Sequence, residues 1–222
     1  MSLWTYFNEI FKKRKLNLSQ ILLTLEDTEI RRRAINAKRT FENLFDLGFI
    51  PLVNENDSIA TSEIKYGDND RLASRVAQIS GSDCLILLSD VDGLFDSNPK
   101  LNKDANLISN VKEIDNKIEN YISKSVSEHG TGGMKTKIEA AKICQISGCY
   151  MAIANGLKFR PIKNIISHNY CTWFLPKISK LDARKKWIIS SISPKGVLVV
   201  DDGAILALKK GKSLLAAGIK NI

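Results

Sequence analysis

Apolar residues along the chain alternate between helical spacing and short continuous runs. Leu3, Trp4, Phe7, Ile10 and Phe11 recur at helical intervals, which predicts an amphipathic helix over about Leu3–Lys13. An apolar strand is expected near Ile21–Leu23. A long helix follows over about Thr28–Leu47, with Ile35, Phe41, Leu44 and Phe45 turned inward and Gly48 as its stop. Phe49–Val53 reads as the next strand. A helix after Asp70 carries Leu72, Val76 and Ile79, and beyond Gly81 lies the strongly apolar strand Cys84–Leu88. A further helix from near Thr136 to Gly148 feeds the strand Tyr150–Ala154, closed by the turn Asn155-Gly156. Continuous apolar strands separated by helices predict an α/β fold, a mostly parallel sheet sandwiched by helices.

The pattern changes near Lys177. The charged stretch Lys180–Lys186 precedes short runs, Trp187-Ile188-Ile189 and Val197–Val200, that suit a second, β-containing unit. Residues 187–222 are too few for an independent core, since domains below about 40 residues need extra support.

Composition narrows the class. With 222 residues and 44% hydrophobic content the chain can bury a core. No apolar run reaches the roughly 20 residues of a membrane span and the N-terminus lacks a signal-peptide core, so a cytoplasmic location with no membrane partner is expected. Cys84, Cys144, Cys149 and Cys171 form no C-x-x-C pair and sit among apolar neighbours, which predicts reduced core thiols and no metal site. A net charge of +9 raises the question of nucleic acid, but the cations are spread over Lys12–Lys15, Arg31–Arg33 and Arg184–Lys186, as on solvated helix faces. RNA is therefore disfavoured.

The chemistry concentrates in loops. Gly130-Thr131-Gly132-Gly133-Met134-Lys135-Thr136-Lys137 is a glycine cluster entering a helix, where backbone N–H groups and the helix dipole favour an anion such as a nucleotide phosphate. Lys135 stands where a Walker loop or a dinucleotide fingerprint would need glycine, so both patterns are excluded. In open α/β sheets ligands bind outside the carboxyl ends of strands. Three polar loops fall at strand ends or helix starts: Asn54-Glu55-Asn56-Asp57, Gly67-Asp68-Asn69-Asp70 and Ser89-Asp90-Val91-Asp92-Gly93. Their carboxylates and amides could serve a zwitterionic amino acid, or simply make turns and caps. Asp68-Asn69-Asp70 lacks the spacing of a calcium loop. Lys137 could supply charge to a phosphoryl group in flight, Asp70 could orient lysines and Asp90 could contact a nucleotide, whereas His129 and His168 lack catalytic partners.

Taken in order, Val53–Asp57, Gly67–Asp70, Ser89–Phe95 and Gly130–Lys137 resemble the glutamate 5-kinase branch of the amino acid kinase family. Similarity extends to Glu26–Arg39, Ala154-Asn155-Gly156, Arg184–Ile188, Asp202–Ala204 and Ser213–Ile219. The resemblance implies ATP-dependent phosphorylation of the glutamate γ-carboxylate, the first step toward proline, with Mg²⁺ accompanying ATP. It implies that Asp57, Asn69 and Asn54 bind glutamate. Ser89, Asp90 and the loop Thr131, Gly132, Gly133, Met134, Lys135, Thr136 and Lys137 would contact ATP, while Asp70 and Lys137 would be catalytic. Residues 1–178 would be the C-terminal part of the kinase domain, 179–186 a basic connector and 187–222 an incomplete PUA-like domain. Family members pair through their kinase domains, which implies a homodimer or homotetramer.

Departures from the family pattern shape the expectation. The chain has neither the opening Lys-Gly strand nor the Ser-Gly-Ala segment of the family, Ser89 replaces the usual threonine, and Cys171 stands where glycine is common. Losing one of two phosphate-facing lysines removes transition-state charge. The chain alone is expected to have little or no kinase activity and to need a complementing N-terminal fragment. The alternatives are a non-catalytic gene remnant and an RNA-binding module acting through the basic PUA-like end.

Overall fold

The computed structural model describes residues 3–56, 69–99, 101–116, 118, 119, 121, 133–168, 170–179, 181–183 and 198–221. Asp57, Gly67, Asp68, His129 to Gly132, the basic stretch Arg184–Lys186 and the run Trp187–Ile189 lie outside the described residues. Chain contacts divide the molecule into two units, residues 1–185 and 186–222.

In the first unit, α1 (Leu3–Lys13) leads into β1 (Asn17–Leu23), which pairs in parallel with β2 (Phe49–Glu55) through all seven positions, from Asn17 opposite Phe49 to Leu23 opposite Glu55. Between them run α2 (Leu25–Glu29) and α3 (Arg31–Asp46). The single long helix expected over Thr28–Leu47 is thus two helices. Thr24 and Asp27 form a capping box that starts the first, the Thr24 N–H and hydroxyl both donating to Asp27 Oδ2 at 2.8 and 2.7 Å. Ile30 is extended and breaks the run, so α3 starts afresh. Glu29 faces Arg75 at 3.4 Å, and Arg33 reaches back to Glu26 at 2.6 Å. In α3 the buried positions are Ala34 and Phe41, whereas Phe45 is 52% exposed: it stacks on Phe41 from the solvent side rather than entering the core.

A second sheet has the strand order β3-β5-β6-β4, built from β3 (Cys84–Ser89), β4 (Asn110–Val111), β5 (Tyr150–Asn155) and β6 (Thr172–Phe174). β3 with β5 and β4 with β6 are parallel, and only β5 with β6 is antiparallel. Helix α4 (Asn69–Ser80) and helix α5 (Met134–Ile146) lie side by side over one face. Alternate residues of a strand point to opposite faces. Accordingly Met151 and Ile153 join Leu87, Ile138, Ala140, Ala141, Cys144 and Phe174 in the main core, while Ala154 packs with Ile165 of α6 (Pro161–His168), Cys171, Ile86 and Trp173 on the other side. Four successive residues of β5, Met151 to Ala154, are buried, as both-face burial requires.

The buried polar side chains Gln145 and Thr172 are hydrogen-bonded. Gln145 Nε2 donates to the carbonyl of Lys112 at 3.2 Å, its backbone carbonyl accepts from Lys177 N at 3.1 Å, and Thr172 Oγ1 accepts from Leu94 N at 2.7 Å. All four cysteines are free thiols, but Cys84 is exposed, contrary to a wholly buried set. It opens β3, which lies at the end of the strand order and therefore lacks a second flanking strand among the described residues.

The second unit holds β7 (Val199–Val200), α7 (Asp202–Lys209), a 3-10 turn (Ala216–Gly218) and β8 (Ile219–Asn221), with β7 and β8 antiparallel. Asp201 caps α7 by accepting from Ala204 N at 2.7 Å. Helix α7 has no buried residue, as expected for a unit of this size.

Candidate functional site

Helices that follow parallel strands return with their N-termini at the carboxyl end of the sheet, and that end gathers the sequence-predicted residues. Asp70 stands in the first turn of α4, and Thr136 and Lys137 in the first turn of α5. Because the two helices pack together with their starts adjacent, Lys137 Nζ comes within 2.9 Å of Asp70 Oδ2, a pair largely shielded from solvent at 13% and 18% side-chain exposure. The Thr136 hydroxyl lies 3.1 Å from the same carboxylate oxygen and 3.0 Å from the carbonyl of Gly133, so its single proton serves one of them at a time. Asp70 thereby fixes the direction of the lysine stem.

The start of α5 differs from those of α2 and α7. Gly133, its N-cap, has no side chain to cap the helix, and no acidic residue occupies the first turn. Thr24 with Asp27 and Asp201 do that work at the other two helices. The N-cap of α5 thus offers no side chain to its first N–H groups, and Lys135 and Lys137 stand beside them, an arrangement that suits an anion. Phosphates of a nucleotide fit this chemistry. Among the described residues no group of three or more His, Cys, Asp or Glu side chains could hold a metal ion. A magnesium ion entering with a nucleotide would keep phosphate and water ligands, its usual habit.

The remaining predicted residues sit at strand ends. Ser89 closes β3 and donates to Asp90 Oδ1 at 3.0 Å, and the Ser89 carbonyl accepts from Gly156 N at 2.7 Å. Asn54 lies near the carboxyl end of β2, opposite Leu22, and is exposed; Asn69 is exposed at the first position of α4. Met134 opens α5. The structure brings Asp70, Thr136 and Lys137 into contact. Asp57, Thr131 and Gly132 lie outside the described residues.

Beyond Asp90 the chain is held firmly. Gly93 packs so closely on β6 that an added Cβ would lie 2.5 Å from Thr172 Oγ1. Asn106 donates to Asp96 from its backbone N–H at 2.9 Å and from its side chain at 3.2 Å, which holds the Asp96 carboxyl below its ordinary range. Sequence reasoning passed over one further cluster. Asn155, Lys158, Asn164 and Tyr170 share a cleft with Ala154 and Pro161, and Lys158 pairs with Asp92 at 2.6 Å. Its only signal in the sequence was the Asn155-Gly156 turn.

Comparison with known proteins agrees with this architecture. The amino acid kinase family matches residues 5–155. A glutamate 5-kinase of Pelagibacter ubique (strain HTCC1062) is 72% identical over all 222 residues of this chain, which cover 60% of that relative. A glutamate 5-kinase of Nitrobacter hamburgensis is 48% identical over 213 residues, 96% of this chain and 56% of the relative. The chain thus spans between 56% and 60% of the length of these two relatives. Among solved structures, UMP kinase from Ureaplasma parvum superposes with a TM-score of 0.53 at 16% identity, covering 77% of this chain and 65% of that one. Carbamate kinase from Giardia lamblia bound to AMP-PNP gives 0.51 at 18% identity, covering 78% and 67%. The fold is shared with these kinases, and the family match over most of its length places the chain in the amino acid kinase family.

Proposed function

We propose that this chain forms the nucleotide-phosphate side of a glutamate 5-kinase, which transfers a phosphoryl group from ATP to the γ-carboxylate of glutamate. The observation that carries the reading is the shielded Asp70–Lys137 pair at the start of α5, whose N-cap, Gly133, has no side chain. Phosphoryl transfer asks mainly for positioning and for positive charge where negative charge is redistributed, and this arrangement supplies both. Lys137 would hold its ammonium toward the transferring group while Asp70 keeps it aimed. Gly133, Met134, Lys135 and Thr136, with Thr131 and Gly132, would receive the phosphates, and Ser89 and Asp90 the rest of the nucleotide. Asn54, Asp57 and Asn69 would hold glutamate through amide and carboxylate contacts to its charged ends. Mg²⁺ would arrive with ATP and offset phosphate charge.

The identity of the Pelagibacter relative, of which this chain covers 60%, supports the substrate assignment. We further propose that the protein works in the cytoplasm, that it pairs as a homodimer or homotetramer through its kinase unit, and that residues 187–222 are the beginning of a PUA-like fold. The test is co-expression of this chain with the N-terminal fragment of a glutamate 5-kinase, assaying glutamate-dependent ATP turnover and γ-glutamyl phosphate captured as its hydroxamate. Turnover by the pair, and a fall of about a hundredfold or more with Lys137→Ala, is expected. Folded, co-purifying fragments that show no glutamate-dependent turnover would overturn the reading.

A further inference from the structure

Lys12, Lys13, Arg14 and Lys15 follow one another at the end of α1, and all four are exposed. Among the described residues no ion pair or side-chain hydrogen bond engages them. The turn that carries them sets α1 apart from the other helices. Leu16 N donates to the Phe11 carbonyl and Lys15 N to the Lys12 carbonyl, both at 3.0 Å, which closes the helix with Lys15 in the left-handed region at φ +58°. Gly48, Gly81, Gly148 and Gly211 take that place after α3, α4, α5 and α7, at φ +73°, +68°, +73° and +73°. Glycine adopts this backbone freely and a side chain resists it, so α1 keeps a cation where local conformation favours none. Compensation of the helix dipole does not account for it. α3, α4 and α5 end without a basic residue in the last turn, and Lys12 and Lys13 already serve α1.

Asn17 opens β1 opposite Phe49, which opens β2, so the ends of α1 and α3 stand side by side at the amino edge of that sheet. Candidate chemistry gathers at the carboxyl edge, and β1, seven residues at about 3.3 Å each, spans roughly 20 Å between the two. Exposed apolar side chains accompany the cations: Leu16 at 43%, Phe45 at 52% and Leu47 at 69%. Against the four cations stand Glu9 and Asp46 on these two helices, so positive charge prevails. Four successive residues make about one helical turn, and their side chains fan out around the helix end rather than lining one side of it. Nucleic-acid grooves and peptide segments are met by cations along a stripe. A fan at a tip, flanked by protruding apolar side chains, instead suits a flat anionic surface that those side chains can enter.

We propose that the amino edge of the β1–β2 sheet rests against an anionic phospholipid bilayer, with Lys12 to Lys15 on the headgroup phosphates and Leu16, Phe45 and Leu47 dipping between them. That no helix among the described residues is long and apolar enough to cross a membrane bears on spanning, and lying on the surface needs no such helix. The contact is peripheral and reversible, since this attraction falls off within about 10 Å at moderate salt. It leaves the carboxyl edge, with Asp70 and Lys137, turned toward solution.

The test is co-sedimentation of the full chain with vesicles of mixed phosphatidylglycerol and phosphatidylcholine, and with vesicles of phosphatidylcholine alone. Polyuridylate and polyglutamate serve as soluble polyanions at equal concentration of negative charge. Binding to the anionic vesicles alone, weakening as salt is raised, is expected. Lys15→Gly suits the left-handed turn, so it should weaken vesicle binding by about five-fold while the thermal midpoint holds or rises. Adding Lys13→Gln and Arg14→Gln should cost about five-fold more for each cation removed. Undiminished binding by this triple variant, equal binding to neutral vesicles, or no binding to either would overturn the proposal. So would cation-dependent binding that is tighter to polyuridylate or polyglutamate than to the vesicles, which would assign the patch to a nucleic acid or an acidic protein. None of these residues belongs to the nucleotide site, so failure here leaves the kinase reading in place.

Discussion

Strands of similar apolar character meet different fates in the two sheets of the first unit. β5 lies between β3 and β6 with helices on both faces, and Met151 to Ala154 are buried without interruption. Among the described residues β1 and β2 have only each other as strand partners, and Leu22 and Ile50 remain 43% and 38% exposed. Hydrophobicity of a strand therefore states a capacity for burial, and flanking strands and helices determine how much of it is used. Helix α4 belongs to both settings, since it packs against β2 as well as β3 and carries Asp70 at its start.

The sharpest way to break this comparison is truncation at matched strand positions. Phe174→Ala in β6 is expected to cost about 3–5 kcal/mol, because a large side chain leaves a cavity in a fully packed core. Ile50→Ala in β2 should cost less than about 1 kcal/mol. Urea denaturation of both variants measures the difference, and equal losses would show that the two sheets are packed alike. Next in size is Asp70→Ala, which leaves the shielded Lys137 ammonium without its carboxylate and should cost roughly 3 kcal/mol. Because α4 touches both sheets, hydrogen exchange should quicken in β2 and β3 together; loss confined to one sheet would refute the bridging role. Gly93→Ala should cost about 2 kcal/mol, since the new Cβ meets Thr172 and the residue holds a φ of +156°. A thermal midpoint equal to that of the parent would contradict this close approach.

The smallest effect is on pH. Burial is the first cause that pushes the Cys171 thiol up, while the Cys144 thiol is raised first by its hydrogen bond with Cys149 and then by burial. A folded-state pKa above the unfolded one gives stability that is fully present below the unfolded value, about 8.5, and lost as pH rises past it. The urea midpoint should accordingly fall between pH 8 and pH 10. Cys144→Ala should flatten that fall, and an unchanged slope would assign it to other groups.

Much of the fold was legible because periodicity reports burial directly. The boundaries of α1 and the extents of the apolar runs in β3 and β5 were visible as helical and continuous patterns. What periodicity missed was set by tertiary contact: the break at Ile30, where Glu29 and Arg33 turn to different partners, and the exposure of Cys84, which depends on what flanks β3. For the candidate site, the glycine loop and Asp70 stood out as separate motifs, with Asp70 expected to orient lysines. The adjacent starts of α4 and α5 determine that it meets Lys137. The cleft at Asn155 was hidden because Asn164 and Tyr170 belong to an unremarkable helix and loop that only the fold brings beside the strand end.

Helix α5 is fastened at both extremities. Lys137 grips Asp70 near its beginning, and near its end the Gln145 side chain holds the Lys112 carbonyl while the backbone carbonyl of Gln145 takes the N–H of Lys177. The two fastenings are roughly 12 Å apart at 1.5 Å per residue. One rigid rod thus ties the lysine of the candidate site and the segment around Lys177 together, held at two points rather than one.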